Sequence, residues 1–243
     1  MADPLPGRDS EPDATFPKPL LRTRLYEQVA EQITTWITDN GLGAGDRLPP
    51  ERELATRLGV SRATLSQALV ALEVVGVVAV RHGDGTVLTS HEGSRRVIEA
   101  IRAHAKRLPE ITEAREALET KLAALAAQRR TEEDLAAITA SLDEMEHEIE
   151  AGGRGVAGDE HFHAAITAAG HSELLAQMMG AIADLVRETR IESLSQPGRP
   201  RDSLAGHRRV AAAIEAGDAA AAATAMHDHV AMVSDVALLR ERP

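Results

Sequence analysis

The sequence predicts a mainly α-helical chain in two parts, three short helices closed by a β-hairpin and then an all-α antiparallel bundle. Three observations predict it. Apolar residues recur at helical spacing over most of the 243 residues. Two short β-branched runs near 77–88 flank an Arg-His-Gly-Asp-Gly tip, the composition of a hairpin. From Gly93 onward, helical segments are punctuated only by isolated Gly and Pro. The length allows one large domain or two smaller ones, and 43% hydrophobic residues suffice for a real core.

Residues 1–19 read as a disordered tail, with Pro4, Pro6, Pro12, Pro17 and Pro19 among acidic and small residues. A first helix over 25–38 places Leu25, Val29, Ile33, Trp36 and Ile37 on one stripe. The glycines of 41–45 end it. Pro49-Pro50 leads into a helix over 51–58, with Pro50 near the first turn, where its missing N–H costs little. Gly59 breaks that helix, and Ser61 is a suitable N-cap for a third helix from Arg62 to about Val74. Strands at 77–80 and 86–88 follow. Three helices and a hairpin wing in this order make a winged helix-turn-helix, placed at 20–90. The bundle, at 91–243, is expected to hold helices near 94–107, 110–129, 131–151, 156–169, 172–195, 201–216 and 218–240, with Pro109 separating the first two.

Composition excludes several classes. The chain has no cysteine, hence no disulfide, thiolate zinc finger or cysteine nucleophile. No apolar run approaches a membrane span and no secretory signal opens the chain, so a cytoplasmic protein without membrane contact is expected, nucleoid-associated when bound to DNA. Aromatics at 2% exclude base stacking as a main binding device. The net charge of −11 looks wrong for a nucleic-acid binder, but its distribution matters more. Residues 18–90 carry 8 basic and 8 acidic side chains, whereas 91–243 carry 18 and 26. A local basic face in the first part is therefore compatible with the total.

In a winged helix-turn-helix the third helix enters the major groove and the wing lies beside a phosphate strand or in the minor groove. Arg52 heads the second helix, within reach of a backbone phosphate. Ser61, Arg62 and Thr64 open the third helix, where Arg62 matches the paired acceptors of guanine. Arg81, His82 and Gly83 belong to the wing tip. The bland alternative is a set of solvated surface charges. The stretches Gly45-Asp-Arg-Leu-Pro-Pro-Glu-Arg-Glu-Leu-Ala, Leu58-Gly-Val-Ser-Arg-Ala-Thr-Leu-Ser-Gln-Ala-Leu and Gly83-Asp-Gly-Thr-Val resemble the GntR family of bacterial transcription regulators over about 25–88. The resemblance implies a homodimer on a short palindromic DNA operator, with Arg52, Arg62, Thr64, His82 and Gly83 at DNA-contacting positions. Ser66 departs from the arginine usual in the family, so a known operator sequence does not transfer.

In the second part, helical periodicity sorts nine of the chain's ten histidines. Asp159, Phe162, His163 and Ile166 share one stripe; Leu204, His207, Ala211 and Ile214 form a second; Met226, His229, Val230 and Val233 form a third. One aspartate and three histidines thus point inward, whereas His161 and His227 fall on the opposite faces. An N3O set suits a divalent metal, zinc first, with Ni²⁺, Mn²⁺ and Co²⁺ as the others. The alternative is a hydrogen-bonded polar core without metal. Arg115 lies on the stripe of Ile111, Leu118, Leu122 and Leu125, and a buried guanidinium needs an anion. Two readings stay open: a clamp on an organic acid, or an internal pair with a glutamate such as Glu119 or Glu160.

This part resembles the FCD ligand-binding domain of FadR-type regulators. The resemblance rests on Glu113-Ala-Arg-Glu-Ala-Leu-Glu, Asp159-Glu-His-Phe-His, His207 and the segment from Gly217-Asp218 to His229. It implies a metal held by Asp159, His163, His207 and His229, and a small carboxylate effector that most often releases a repressor from DNA. Gly206 stands where an acidic residue is common in the family. A metal-dependent hydrolase is the competing class. Its nearby bases would be Glu160 and His161, which the helix turns away from Asp159 and His163, and no HExxH pattern is present.

Overall fold

The computed structural model describes residues 25–81, 85–89 and 94–234. The predicted tail, His82 and Gly83 at the wing tip, and the last residues of the expected final helix lie outside these. Among the described residues there are nine helices and one two-stranded antiparallel sheet.

Helix α1 (Leu25–Asp39) buries Tyr26, Val29, Ala30, Ile33 and Ile37. Leu25 is exposed, so the stripe begins at Tyr26, one residue later than the periodicity alone suggested. Helix α2 (Glu51–Leu58) takes Pro50 as its N-cap and closes on Gly59, whose left-handed φ of 67° turns the chain toward α3. Helix α3 (Arg62–Val74) starts at Ser61, whose hydroxyl accepts from the Thr64 N–H at 3.1 Å. Strands β1 (Val78–Arg81) and β2 (Gly85–Leu88) pair from Val78 opposite Leu88 to Arg81 opposite Gly85. Arg81 is therefore the last residue of the strand rather than part of the turn. The loop after α1 adds a bridge between Arg47 and Val87, which the sequence reading left as irregular chain.

The structure corrects the division at Pro109. Residues 94–129 form one helix, α4 (Ser94–Arg129), with Pro109 inside it. A proline there removes one backbone hydrogen bond and costs about 3 kcal/mol. Packing on both sides outweighs it, since Leu108 is buried against the N-terminal core and Ile111 is buried one turn further. The same core takes Val97, Ile98 and Ile101 from the start of α4.

The rest of the bundle is α5 (Glu132–Glu150), α6 (Val156–Ala169), α7 (Glu173–Leu194), α8 (Arg199–Glu215) and α9 (Ala219–Ser234). A Thr131–Asp134 capping box opens α5, and Asp218 caps α9 from outside the helix, accepting from the N–H groups of Ala220 and Ala221. Helix α4 packs along α9 and α6, α5 along α6, and α8 along α9. Ala123, Ala126, Ala127, Ala169 and Ala222 in their shared core let these helices approach closely around Phe162 and Met226. The α5–α6 crossing is closest at Gly158, where a Cβ would lie 2.4 Å from the Met145 backbone nitrogen. Two helix backbones leave no flexible group to yield. Gly158→Ala is expected to lower unfolding free energy by about 1–3 kcal/mol or more, measured as a lower urea midpoint.

Candidate functional site

Arg52 and Arg62 are exposed on α2 and α3, and Arg81 is exposed at the end of β1. None of the three has an acidic partner among the described residues, whereas Arg57 on the same surface is tied to Glu53 at 2.6 Å. The Ser61 and Thr64 hydroxyls lie 2.8 Å apart at the start of α3, so both are fixed by the helix cap. Exposed cations without an acidic partner among the described residues thus stand at Arg52, Arg62 and Arg81, positions that the sequence singled out.

The polar interior of the bundle is assembled from five helices. Asp159 and His163 project from α6, His207 from α8 and His229 from α9, and all four are buried. One ligand atom from each lies within 4.8 Å of every other. His207 Nε2 is 3.2 Å from His163 Nε2, 3.1 Å from His229 Nε2 and 3.5 Å from Asp159 Oδ1. Phe162 stacks on the His207 ring at 4.2 Å and fixes its plane. Ser203 donates to Asp159 Oδ1 at 3.3 Å.

Two further groups around the cluster escaped the sequence reading as participants. Glu119, one turn after Arg115 on α4, places Oε2 2.7 Å from His163 Nδ1. Arg190 of α7 places Nε 2.9 Å from Asp159 Oδ2. The signal for Glu119 was its i, i+4 spacing from Arg115. Arg190 offered none, because it arrives from a helix without a ligand. Arg115 itself gives Nε to Glu119 at 2.9 Å and its NH1 nitrogen to the Thr189 hydroxyl at 3.2 Å. Of the two readings of Arg115, the internal glutamate pair is thus the contact present. His161 and His227 face outward, paired with Glu144 and Glu116.

Electrostatics prepares the cluster for a cation. Burial, and then the neighbouring His163, push the pKa of His207 well below its ordinary value; burial, and then His207, do the same for His229. Both are neutral imidazoles, the form that ligates metal. Burial alone would raise the pKa of Glu119, but Arg115 and His163 outweigh it and hold the carboxyl well below the usual range. Glu119 Oε2 faces His163 Nδ1, so a neutral His163 would keep its proton there and turn Nε2 as a lone pair toward the cluster. His207 Nε2 carries at most one proton and has two nitrogen neighbours, at 3.1 and 3.2 Å, so as a donor it can serve only one of them squarely. A single divalent cation satisfies every lone pair at once, and the donor set fits such an ion. Gly206 also has a steric role. A Cβ there would lie 2.8 Å from His229 Nδ1, a nitrogen with no hydrogen-bond partner among the described residues.

Both parts of the chain match known family patterns. Residues 25–88 match the pattern described as bacterial regulatory proteins, gntR family, and residues 110–232 match the FCD domain. The HTH-type transcriptional regulator LutR of Bacillus subtilis is 34% identical over 209 residues, covering 82% of this chain and 95% of the relative. The chain belongs to the GntR family of bacterial regulatory proteins. The Uxu operon transcriptional regulator of Escherichia coli is 32% identical over 217 residues, 85% of this chain and 84% of its own. A protein named Putative L-lactate dehydrogenase operon regulatory protein, also from Escherichia coli, is 32% identical over 226 residues, with 88% and 86% covered. Among solved structures, Streptococcus agalactiae GntR aligns at a TM-score of 0.47 with 26% identity, over 86% of this chain and 99% of that one. As a GntR-family protein with an FCD domain, the chain is a DNA-binding transcription regulator rather than an enzyme, and the FCD domain implies a small-molecule effector. No helix among the described residues is long and apolar enough to cross a membrane.

In this GntR-family chain the helix that opens on Arg62 touches the sensing bundle directly. Val70 and Val74 of α3 pack on Ile191 of α7. Glu73 of α3 receives both terminal nitrogens of Arg154, at 2.7 and 2.8 Å, and its Oε1 also accepts from the Val80 N–H of β1. Nearby, the buried His104 of α4 contacts Glu188 and Glu192 of α7 at 2.7 and 3.4 Å. Burial alone would lower its pKa, but hydrogen bonds to these carboxylates outweigh that and raise it from 6.5 to about 9. A raised folded-state pKa gives stability that is complete below pH 6.5 and is lost as pH rises through about 9. The melting temperature is expected to fall across that window, and His104→Gln to flatten the fall.

Proposed function

We propose that this GntR-family regulator senses a small organic acid at a divalent-metal site and binds a palindromic operator as a homodimer, repressing until the acid releases it. Residues 20–90 would read DNA and residues 91–243 would sense. The observation that carries the reading is the convergence of Asp159, His163, His207 and His229 in a buried N3O cluster with the Arg190 guanidinium beside it. These four residues would hold the metal, zinc first among Zn²⁺, Ni²⁺, Mn²⁺ and Co²⁺. A bound divalent cation would supply a fixed positive anchor for a carboxylate. Arg190 adds a second positive group on the open side of the cluster. Arg115 contributes through Glu119, which orients His163. One relative named for an L-lactate dehydrogenase operon is consistent with acid sensing, since lactate is a small carboxylate.

On the DNA side, Arg52 and Arg81 would meet phosphates, Ser61, Arg62 and Thr64 would face base edges, and His82 and Gly83 would add DNA contacts. Transmission needs no long path. Arg190 and Ile191 are neighbours on α7, one beside Asp159 and the other against α3. Arg154 precedes α6, which carries Asp159 and His163, and grips Glu73 of α3. An acid that prefers one arrangement of α6 and α7 shifts the population of α3 positions. A few ångström at each recognition helix prevents both half-sites from engaging together.

The test is a thermal-shift screen of tag-free protein against small carboxylates, before and after EDTA treatment. The reading expects at least one acid to raise the melting temperature of metal-loaded protein only. Equal shifts in both forms would contradict the metal anchor.

A further inference from the structure

A cavity of about 440 Å³ opens between α6 and α7. Its inner end is formed by His163 and Arg190, so it leads directly to the cluster. Its walls are small and apolar: Ala164 and Ala168 on α6 face Ala176, Met179, Gly180 and Ala183 on α7. The one wall hydroxyl, that of Thr167, already donates to the His163 carbonyl at 2.9 Å. The Arg187–Glu160 ion pair at 2.9 Å and the exposed Asp184 also line the cavity. Arg190 is 91% buried, and only its Nε is engaged by Asp159; its two terminal nitrogens form no hydrogen bond among the described residues.

We infer that the effector is a monocarboxylic acid with a slender apolar tail, its carboxylate against Arg190 at the inner end and its tail lying along the α6–α7 channel. This rests on the acid-sensing reading above and narrows it. The two ends of the channel differ in chemistry as the two ends of such an acid do. A guanidinium fork matches a carboxylate, and the alanine and methionine walls match methylene groups. A polyhydroxylated acid would fit poorly along the alanine and methionine stretch, because hydroxyls there would lose water and gain no partner, the charged groups of the lining being Glu160, Asp184 and Arg187 apart from Arg190. The alanine spacing keeps the channel wide where larger residues would have closed it. Gly180 lies on that wall, and a Cβ added there meets nothing within 4 Å, so the position has room for a side chain.

The experiment is calorimetric titration of the metal-loaded full chain with acetate, butyrate, hexanoate, octanoate, lactate and gluconate. Affinity should rise by about fourfold per methylene along the linear series until the channel is full. Hexanoate should exceed both lactate and gluconate. Gly180→Leu should weaken hexanoate at least tenfold while acetate changes by less than about twofold, with the ligand-free melting temperature reporting that the variant folds. A flat series, or gluconate or lactate binding as tightly as hexanoate, overturns the apolar-tail inference and leaves acid sensing standing. Binding by none of the acids overturns the acid-sensing reading itself.

Discussion

His207→Ala is expected to lower zinc affinity by more than the roughly 10–100-fold that loss of an outer-shell partner costs, and to abolish any metal-dependent response to acids. His207 is the hub of the cluster. Its Nε2 stands within 3.5 Å of a donor atom from each of His163, His229 and Asp159, while those three come from only two other helices. Removing it opens the coordination sphere and also deletes the ring that stacks on Phe162. Chelator competition on variant and parent gives the affinity ratio directly. Glu119→Gln is the graded companion. It leaves all four ligands but removes the charge that fixes the His163 tautomer, so a loss within 10–100-fold is expected. Equal metal affinity in parent and His207→Ala would place the metal elsewhere or nowhere.

Arg62→Ala is expected to weaken binding to an operator, selected from random DNA by the protein itself, by about 1–3 kcal/mol, and to relax preference at one base position. The side chain is exposed in the first turn of α3 and has no acidic partner among the described residues, so no internal pair is lost with it. Arg52→Ala provides the contrast. As a phosphate contact at the head of α2 it should weaken operator and unrelated DNA alike and lower the salt dependence. Anisotropy titrations on both DNAs separate the two roles. A uniform loss for Arg62→Ala, or a single-position loss for Arg52→Ala, would exchange their assignments.

Much of this architecture was readable in the chain. Ser61, Gly59 and the Pro49-Pro50 pair act locally, through cap and turn geometry, and the helices they bound lie where such signals place them. The stripes carrying Asp159, His163, His207 and His229 were readable because helical spacing converts position into face. What was not readable depends on tertiary contact. Pro109 is a local helix breaker, and only burial of Leu108 and Ile111 on either side keeps α4 continuous. Arg190 sits on α7 with no chemical pattern around it, and it becomes part of the site only when α7 lies beside α6. Arg115 illustrates the limit most plainly. Its inward stripe was legible, but whether it met an external acid or Glu119 depended on a rotamer that the sequence does not encode. The Glu73–Arg154 contact links residues far apart in the chain, and no periodicity announces it.

If Asp159, His163, His207 and His229 form a metal centre, the ion is part of the folded bundle. The most direct test is elemental analysis of tag-free protein together with its melting temperature before and after chelation. The expected result is about one divalent ion per chain, a lower melting temperature after removal, and recovery on adding zinc. Protein that carries no divalent metal and melts at the same temperature with and without chelator would contradict it, leaving Asp159, His163, His207 and His229 as a polar core.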